Sequence, residues 1–205
     1  MSNRLIIDTD HLRYLQLQRG ALWDYSHDLP TWLTLYHHSI SKDANAIQLA
    51  SPRHVKSFLD VGSGLSGVGI LLKRFWDGAE AYLLDGEDDD SVVEKHAQTF
   101  NSGAVTRDFW QVNNAQLAGY FTPDTLDKVP LMHFDLVFSL QSWCFHFPPD
   151  DYLDFVASRT SRDSVLIVDV RHNRKEWIKQ LERYFRATQV IQRSTKCDRI
   201  VWRKW

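Results

Sequence analysis

Asp60-Val61-Gly62-Ser63-Gly64 ends a short apolar run, and Gly67 extends it to the spacing G-x-G-x-x-G over Gly62, Gly64 and Gly67. Glycines so spaced let the backbone turn tightly and approach a ligand closely. The turn therefore suits either the pyrophosphate of a nicotinamide dinucleotide or the amino-acid end of S-adenosylmethionine. The spacing does not choose between them. Asp60 favours the second: it puts a carboxylate where dinucleotide folds usually carry an apolar packing residue, and a carboxylate suits a ligand bearing an ammonium group. A second chemistry-bearing run is Ser139-Leu140-Gln141-Ser142-Trp143-Cys144-Phe145-His146-Phe147-Pro148, whose His146 can accept a proton. Tyr36-His37-His38 and His133 raise the question of a metal, but no second cluster offers convergent ligands, so none is expected.

The elements that must hold these residues alternate between short apolar runs and helical patterns from Ser57 onward, as successive βα units of a mostly parallel sheet do. Ser57–Val61 reads as the first strand. The helix after the glycine turn places Val68, Leu71, Leu72 and Phe75 on one face. Ala81–Leu84 is the second strand, ending at Asp85. Asp88, Asp89 and Asp90 then supply negative charge at the start of a helix striped by Val92, Val93, His96, Ala97 and Phe100; this reads as dipole complementarity rather than a cation site. A third strand is expected at Ala104–Arg107, before Asp108 and Phe109, with residues 111–130 irregular or partly helical. Phe134–Leu140 is the fourth strand, and Pro148 and Pro149 suit entry to a helix carrying Tyr152, Leu153, Phe155 and Val156. Val165–Val170 is the fifth, followed by a helix with Trp177, Leu181 and Tyr184. Thr188–Ile191 and Arg199–Trp202 lie too close together for a helical crossover and should pair as an antiparallel hairpin. The expected fold is a Rossmann-like α/β domain: a seven-stranded, mostly parallel sheet with a C-terminal antiparallel hairpin and helices on both faces.

Phe58-Leu59-Asp60-Val61-Gly62-Ser63-Gly64 resembles motif I of the class I S-adenosylmethionine-dependent methyltransferases, and the terminal hairpin resembles that family's sheet. The resemblance runs from about Ser57 to the last residue. It implies binding of S-adenosylmethionine by Asp60, Gly62, Ser63 and Gly64, by Asp85 and Gly86 after the second strand, by Asp108 and Phe109, and by Ser139 and Leu140. In that scheme Asp85 accepts hydrogen bonds from both ribose hydroxyls, while Asp108 and Phe109 meet the adenine. The alternative for Asp85 is a turn or helix-capping aspartate. The run from Ser139, with Tyr152-Leu153 and Leu166 to Arg171, is similar to sugar or small-molecule O-methyltransferases having Ser-Leu-x-Ser-Trp-x-Phe-His-Tyr-Pro. This chain has Phe147 in place of the tyrosine, which removes a phenolic hydroxyl.

The implied reaction is methyl transfer to a hydroxyl of a sugar or other small molecule, giving S-adenosylhomocysteine (SAH). Alignment supplies much of such catalysis, and removal of the acceptor proton by His146 supplies more. His146 may equally pack among Trp143, Phe145 and Phe147 and fix the loop, those aromatic rings may form core, and Arg171 faces either an anionic substrate or solvent. Two rival functions remain open: an NAD(P)-dependent oxidoreductase and a non-catalytic cofactor-binding domain.

The 205 residues, 43% apolar and 13% aromatic, suit one well-buried core better than two. Residues 1–56, with Trp32 and Tyr36, are too apolar for a solvated tail and read as a helical cap over the cleft of a domain spanning 57–205, or equally as a helical cover on one face of its sheet. A net charge of −2, from 24 basic and 26 acidic residues, gives no field that would gather nucleic acid or an anionic membrane. No apolar run is long enough to span a bilayer, no signal-peptide pattern opens the chain, and Cys144 and Cys197 lack metal-site spacing. A cytoplasmic protein is expected.

Overall fold

The computed structural model describes residues 4–19, 28–87 and 101–205. The helix expected over residues 88–100 lies outside them. Two helices come first, α1 (Thr9–Gln18) and α2 (Leu29–Ala50). Asp8 starts α1 by accepting the main-chain N–H of His11, and Asp28 starts α2 by accepting that of Thr31. Trp32, Tyr36, Ile40, Ala44 and Ile47 recur at helical spacing and form the buried stripe of α2.

The sheet follows: β1 (Ser57–Val61), α3 (Gly67–Phe75), β2 (Glu80–Leu84), α4 (Gly103–Val112), β3 (Gly119–Phe121), β4 (Leu136–Ser139), β5 (Ser142–Phe147), α5 (Leu153–Ser158), β6 (Val165–Arg171), α6 (Lys175–Leu181), β7 (Phe185–Arg193) and β8 (Cys197–Lys204). Seven strands form one sheet in the order β3-β2-β1-β4-β6-β8-β7, and β5 lies outside that order. Pairing is parallel from β3 to β6, while β8 is antiparallel to both β6 and β7. The doubly wound sheet and its terminal hairpin are therefore as expected.

Strand periodicity divides the core. Phe58, Leu83, Phe138 and Ile167 pack on one face with residues of α1 to α4, whereas Leu59, Leu84, Val137 and Val168 pack on the other with residues of α5 and α6. Successive side chains of a strand point to opposite faces, so strands buried on both faces read as continuous apolar runs. No helix among the described residues is long and apolar enough to cross a membrane.

Four expectations need correction. Ala104–Arg107 is the first turn of α4, not a strand: the Ser102 hydroxyl accepts the N–H of Val105, and Thr106, Phe109 and Trp110 are buried on one helical face. The third strand is the three-residue β3, inside the stretch expected to be irregular. Phe75, expected on the buried face of α3, is exposed, because the helix ends there and Trp76 turns inward instead. Tyr184 lies beyond α6 and donates its hydroxyl to Asp154 (2.9 Å).

A buried ionic fork ties the first helical segment to the last strands. Arg199 on β8 bonds Asp169 on β6 through Nε (2.8 Å) and Nη2 (3.0 Å), and Asp43 on α2 through Nη1 (2.7 Å). All three side chains are buried. Arg199→Ala would leave two carboxylates buried without their cation and is expected to cost about 3–5 kcal/mol of unfolding free energy. Urea denaturation checks this, and a loss below about 1 kcal/mol would contradict it.

Candidate functional site

The glycine turn is shaped at the carboxyl end of β1. Gly62 N–H donates to Leu84 O (2.7 Å), which binds the turn to the end of β2. Gly62 and Gly64 have φ of 67° and 55°, in the left-handed region. A Cβ on Gly62 would collide with the Ser142 side chain, and one on Gly64 would stand 2.6 Å from Gln18 Oε1. Both positions thus need glycine for conformation and for space.

Asp60 points to the face covered by α3, where its Oδ2 accepts the Ser66 hydroxyl at 2.6 Å. Ser66 is the residue before α3 and adopts a left-handed φ of 56°. Its hydroxyl is committed to Asp60, so α3 has no side-chain cap. Burial pushes the Asp60 carboxyl up to about 7; the Ser66 hydrogen bond opposes this, the Asp85 carboxylate adds to it, and Arg19 opposes it. Asp85, at the end of β2, accepts Gly64 N–H on Oδ2 and Gly86 N–H on Oδ1 (2.8 Å). The acidic residue and the glycine turn therefore meet directly.

A cavity of about 670 Å³ opens over this turn. That volume lies within the roughly 300–1,000 Å³ typical of small-molecule sites. The turn contributes Gly62, Ser63, Gly64, Ser66 and Gly67, and β2 contributes Asp85. Leu15, Gln18 and Arg19 come from the end of α1, Tyr36 from α2, and Leu140, Gln141, Ser142, His146 and Phe147 from the β4–β5 region. His146 stands exposed at the wall, edge-on to Phe145 with ring centroids 4.7 Å apart. Partial desolvation, then the charges of Arg171 and Lys196, hold its imidazole below the ordinary value of 6.5, so it is mainly neutral at pH 7.

Of the residues given a cofactor-binding or catalytic role from the sequence, Gly62, Ser63, Gly64, Asp85, Leu140 and His146 meet in this cavity. Asp60 backs the turn from beneath. The others are elsewhere. Ser139 is buried, and its hydroxyl accepts Trp143 N–H (3.0 Å), while Gly86 is spent on Asp85. Trp143 and Phe145 are core, as the plainer reading of those rings holds.

Asp108 and Phe109 do not line the cavity, because the strand expected to end at them is helix α4. Phe109 is wholly buried, 4.9 Å from the His11 ring, and Asp108 Oδ2 lies 2.9 Å from His11 Nε2. Asp8, His11 and Asp108 also form a cluster of metal-ligand type that the sequence did not suggest. Both nitrogens of His11 are engaged within the protein, Nδ1 by Asp8 N–H at 3.3 Å and Nε2 by Asp108. Their visible work is to dock α1 on α4. Gln18, Arg19, Ser66 and Asn101 line the cavity without having stood out in the sequence, and Tyr36 lines it although the sequence offered it only as part of a metal question and of the helical cap. Only the tight i, i+6 relation of Asp60 and Ser66 offered a local hint.

No protein-family model matches the chain, and no curated protein matches it in sequence. Solved structures match its fold. Magnesium protoporphyrin IX methyltransferase from Synechocystis PCC 6803, with bound SAH, superposes with a TM-score of 0.60 at 14% identity, over 97% of this chain and 100% of that one. Ribosomal protein L11 methylase from Lactobacillus delbrueckii subsp. bulgaricus gives 0.56 at 17% identity, over 82% and 80%. The PH0226 protein from Pyrococcus horikoshii OT3 gives 0.62 at 14%, over 83% and 91%. The chain has the Rossmann-like fold of these proteins.

The Asp60 environment has a measurable consequence. An unfolded aspartate titrates near 3.8, whereas folded Asp60 titrates near 7. The folded state therefore holds this proton more tightly, and ionisation lowers stability progressively as pH rises from about 4 to 7, with the full cost above that. Asp60→Asn keeps an acceptor for Ser66 without the charge. Its melting temperature relative to the parent should be higher at pH 8 than at pH 5. Thermal unfolding at both pH values checks this, and an equal difference at each would count against it.

Proposed function

We propose that the chain is an S-adenosylmethionine-dependent methyltransferase acting on a hydroxyl of a small molecule. The observation that carries this reading is the convergence of the glycine turn, Asp85 and His146 on one cavity at the carboxyl ends of β1, β2 and β4. Open α/β sheets place ligands at that edge. The close approach of Asp85 to Gly64, the uncapped start of α3 and the space over the turn fit a ligand with an adenosyl group and a zwitterionic end. Two solved relatives of this fold are described as a methyltransferase and a methylase, the first with SAH bound, and this supports the same cofactor here.

S-adenosylmethionine, when bound, supplies an electrophilic methyl group on a sulfonium. The roles of this chain's residues follow from their chemistry. Asp85 has two oxygens to accept the ribose hydroxyls, and an ammonium group above the turn would favour ionisation of Asp60, whose carboxyl is raised by burial to about 7. Gly62 and Gly64 keep the floor of the site low. Leu140 and Phe147 offer apolar walls. His146 is neutral at working pH and takes the acceptor proton as the oxygen attacks. Helices α1 and α2 cover the ligand and exclude water, since Leu15, Gln18, Arg19 and Tyr36 form that side of the cavity. A hydroxyl acceptor is favoured by His146 and by the likeness of the Ser139–Pro148 run to small-molecule O-methyltransferases.

Thermal unfolding with saturating SAH should raise the melting temperature, whereas NADH should not. Stabilisation by NADH and by neither adenosyl ligand would replace this reading with the oxidoreductase one. Asp85→Ala should weaken SAH binding by tenfold or more, a factor worth about 1.4 kcal/mol. His146→Ala should leave SAH affinity nearly intact and lower turnover about 100-fold in a methyl-transfer assay on the acceptor. Unchanged turnover would remove His146 from the reaction.

A further inference from the structure

Tyr36 is 1% exposed, yet its hydroxyl makes no hydrogen bond with any described residue. The phenol lies on the cavity wall above the first residue of α3, where a Cβ on Gly67 would collide with the hydroxyl oxygen. Burial pushes this phenol well up, so it remains a neutral donor at any working pH. Helix α3 starts at the same corner, with Ser66 and Gly67 on the cavity wall and no capping side chain. Arg19, which follows α1, lines the cavity and forms no ion pair with any described residue. Its charge reaches the corner, since it eases ionisation of both Tyr36 and Asp60.

A neutral O–H donor, a guanidinium with no ion pair among the described residues and the positive end of a nine-residue helix line one cavity. Each favours an anion, and together they supply charge-assisted hydrogen bonds from different directions. The acids nearby narrow the choice of anion. Asp60 beneath the turn and Asp85 beside it oppose a phosphate carrying two negative charges, but suit a carboxylate joined to an ammonium group. We propose that Arg19, the Tyr36 hydroxyl and the N-terminus of α3 form the subsite for the α-carboxylate of a ligand's amino-acid end. The proposal rests on the methyltransferase reading and deepens it, naming the residues by which the helical segment before the sheet recognises the ligand.

The test compares SAH with 5′-methylthioadenosine, which keeps the adenosine and thioether but lacks the amino-acid group. Calorimetric titration of the full chain is expected to show that Arg19→Gln and Tyr36→Phe each weaken SAH about tenfold, the loss of one hydrogen bond to a charged group. Affinity for 5′-methylthioadenosine should stay within about twofold in both variants, because that ligand never reaches the corner. Tyr36→Phe keeps the ring that stacks on Trp32 at 5.4 Å, and Arg19 lies at a partly exposed helix end, so the second variant carries the test should the first fail to fold. Equal weakening of both ligands, or of neither, overturns the subsite while leaving the methyltransferase reading intact. Failure of the unaltered protein to bind either ligand overturns both.

Discussion

The hydrogen bond from Ser66 to Asp60 organises the site. A buried carboxylate needs a donor, and here the nearest one is the hydroxyl that would otherwise cap α3. Giving that hydroxyl to Asp60 has two effects. It draws Ser66 into a left-handed conformation that a non-glycine residue adopts only at a cost, and it leaves the start of α3 without a side-chain cap. The same bond fixes the loop between Val61 and Gly67, so the positions of Gly62 against Ser142 and of Gly64 against Asp85 follow from it. A stabilising interaction within the fold thereby leaves a binding capacity unsatisfied.

The sheet can carry that arrangement because it is buried on both faces and pinned at its far side. Alternate side chains of β1, β4 and β6 enter two separate cores, which hold the carboxyl ends of the strands level under the cavity. Arg199 adds a directional constraint that apolar packing lacks. Its planar fork accepts only one relative placement of Asp169 and Asp43, and so sets α2, which carries Tyr36, against β6 and β8. The His11 contacts to Asp8 and Asp108 do the same for α1, which leads to Arg19. Residues far from the cavity thus determine where its walls stand.

This distribution of labour fits a likeness of fold to solved structures at only 14–17% identity. The turn, the acid after β2 and the terminal hairpin are demands of one fold, and many sequences can satisfy them. The walls contributed by α1 and α2 add Gln18, Arg19 and Tyr36 to the cavity. Ligand discrimination is accordingly expected in the segment before the sheet, where Gln18, Arg19 and Tyr36 stand, rather than in the glycine turn.

How much was legible in the sequence follows from the range over which each feature is decided. Strands β1, β2, β4 and β6, the hairpin, the glycine turn and Asp85 are encoded within a few neighbouring residues, by continuous apolar runs, turn glycines and a loop too short for a crossover. Strand β3 escaped because three residues beginning with glycine carry almost no periodicity, and Ala104–Arg107 misled because Val105 and Thr106 favour strands while the capping Ser102 favours a helix. That single misplacement carried Asp108 and Phe109 to the wrong element. What only the tertiary structure decided is which distant side chains share a boundary. Asp43 meets Arg199 from 156 positions away, His11 meets Asp108 from 97, and Tyr36 and Gln18 reach a turn that begins at Gly62. Such meetings depend on the packing of whole helices against the sheet, and a buried hydroxyl with no hydrogen-bond partner among the described residues is visible only once that packing is complete.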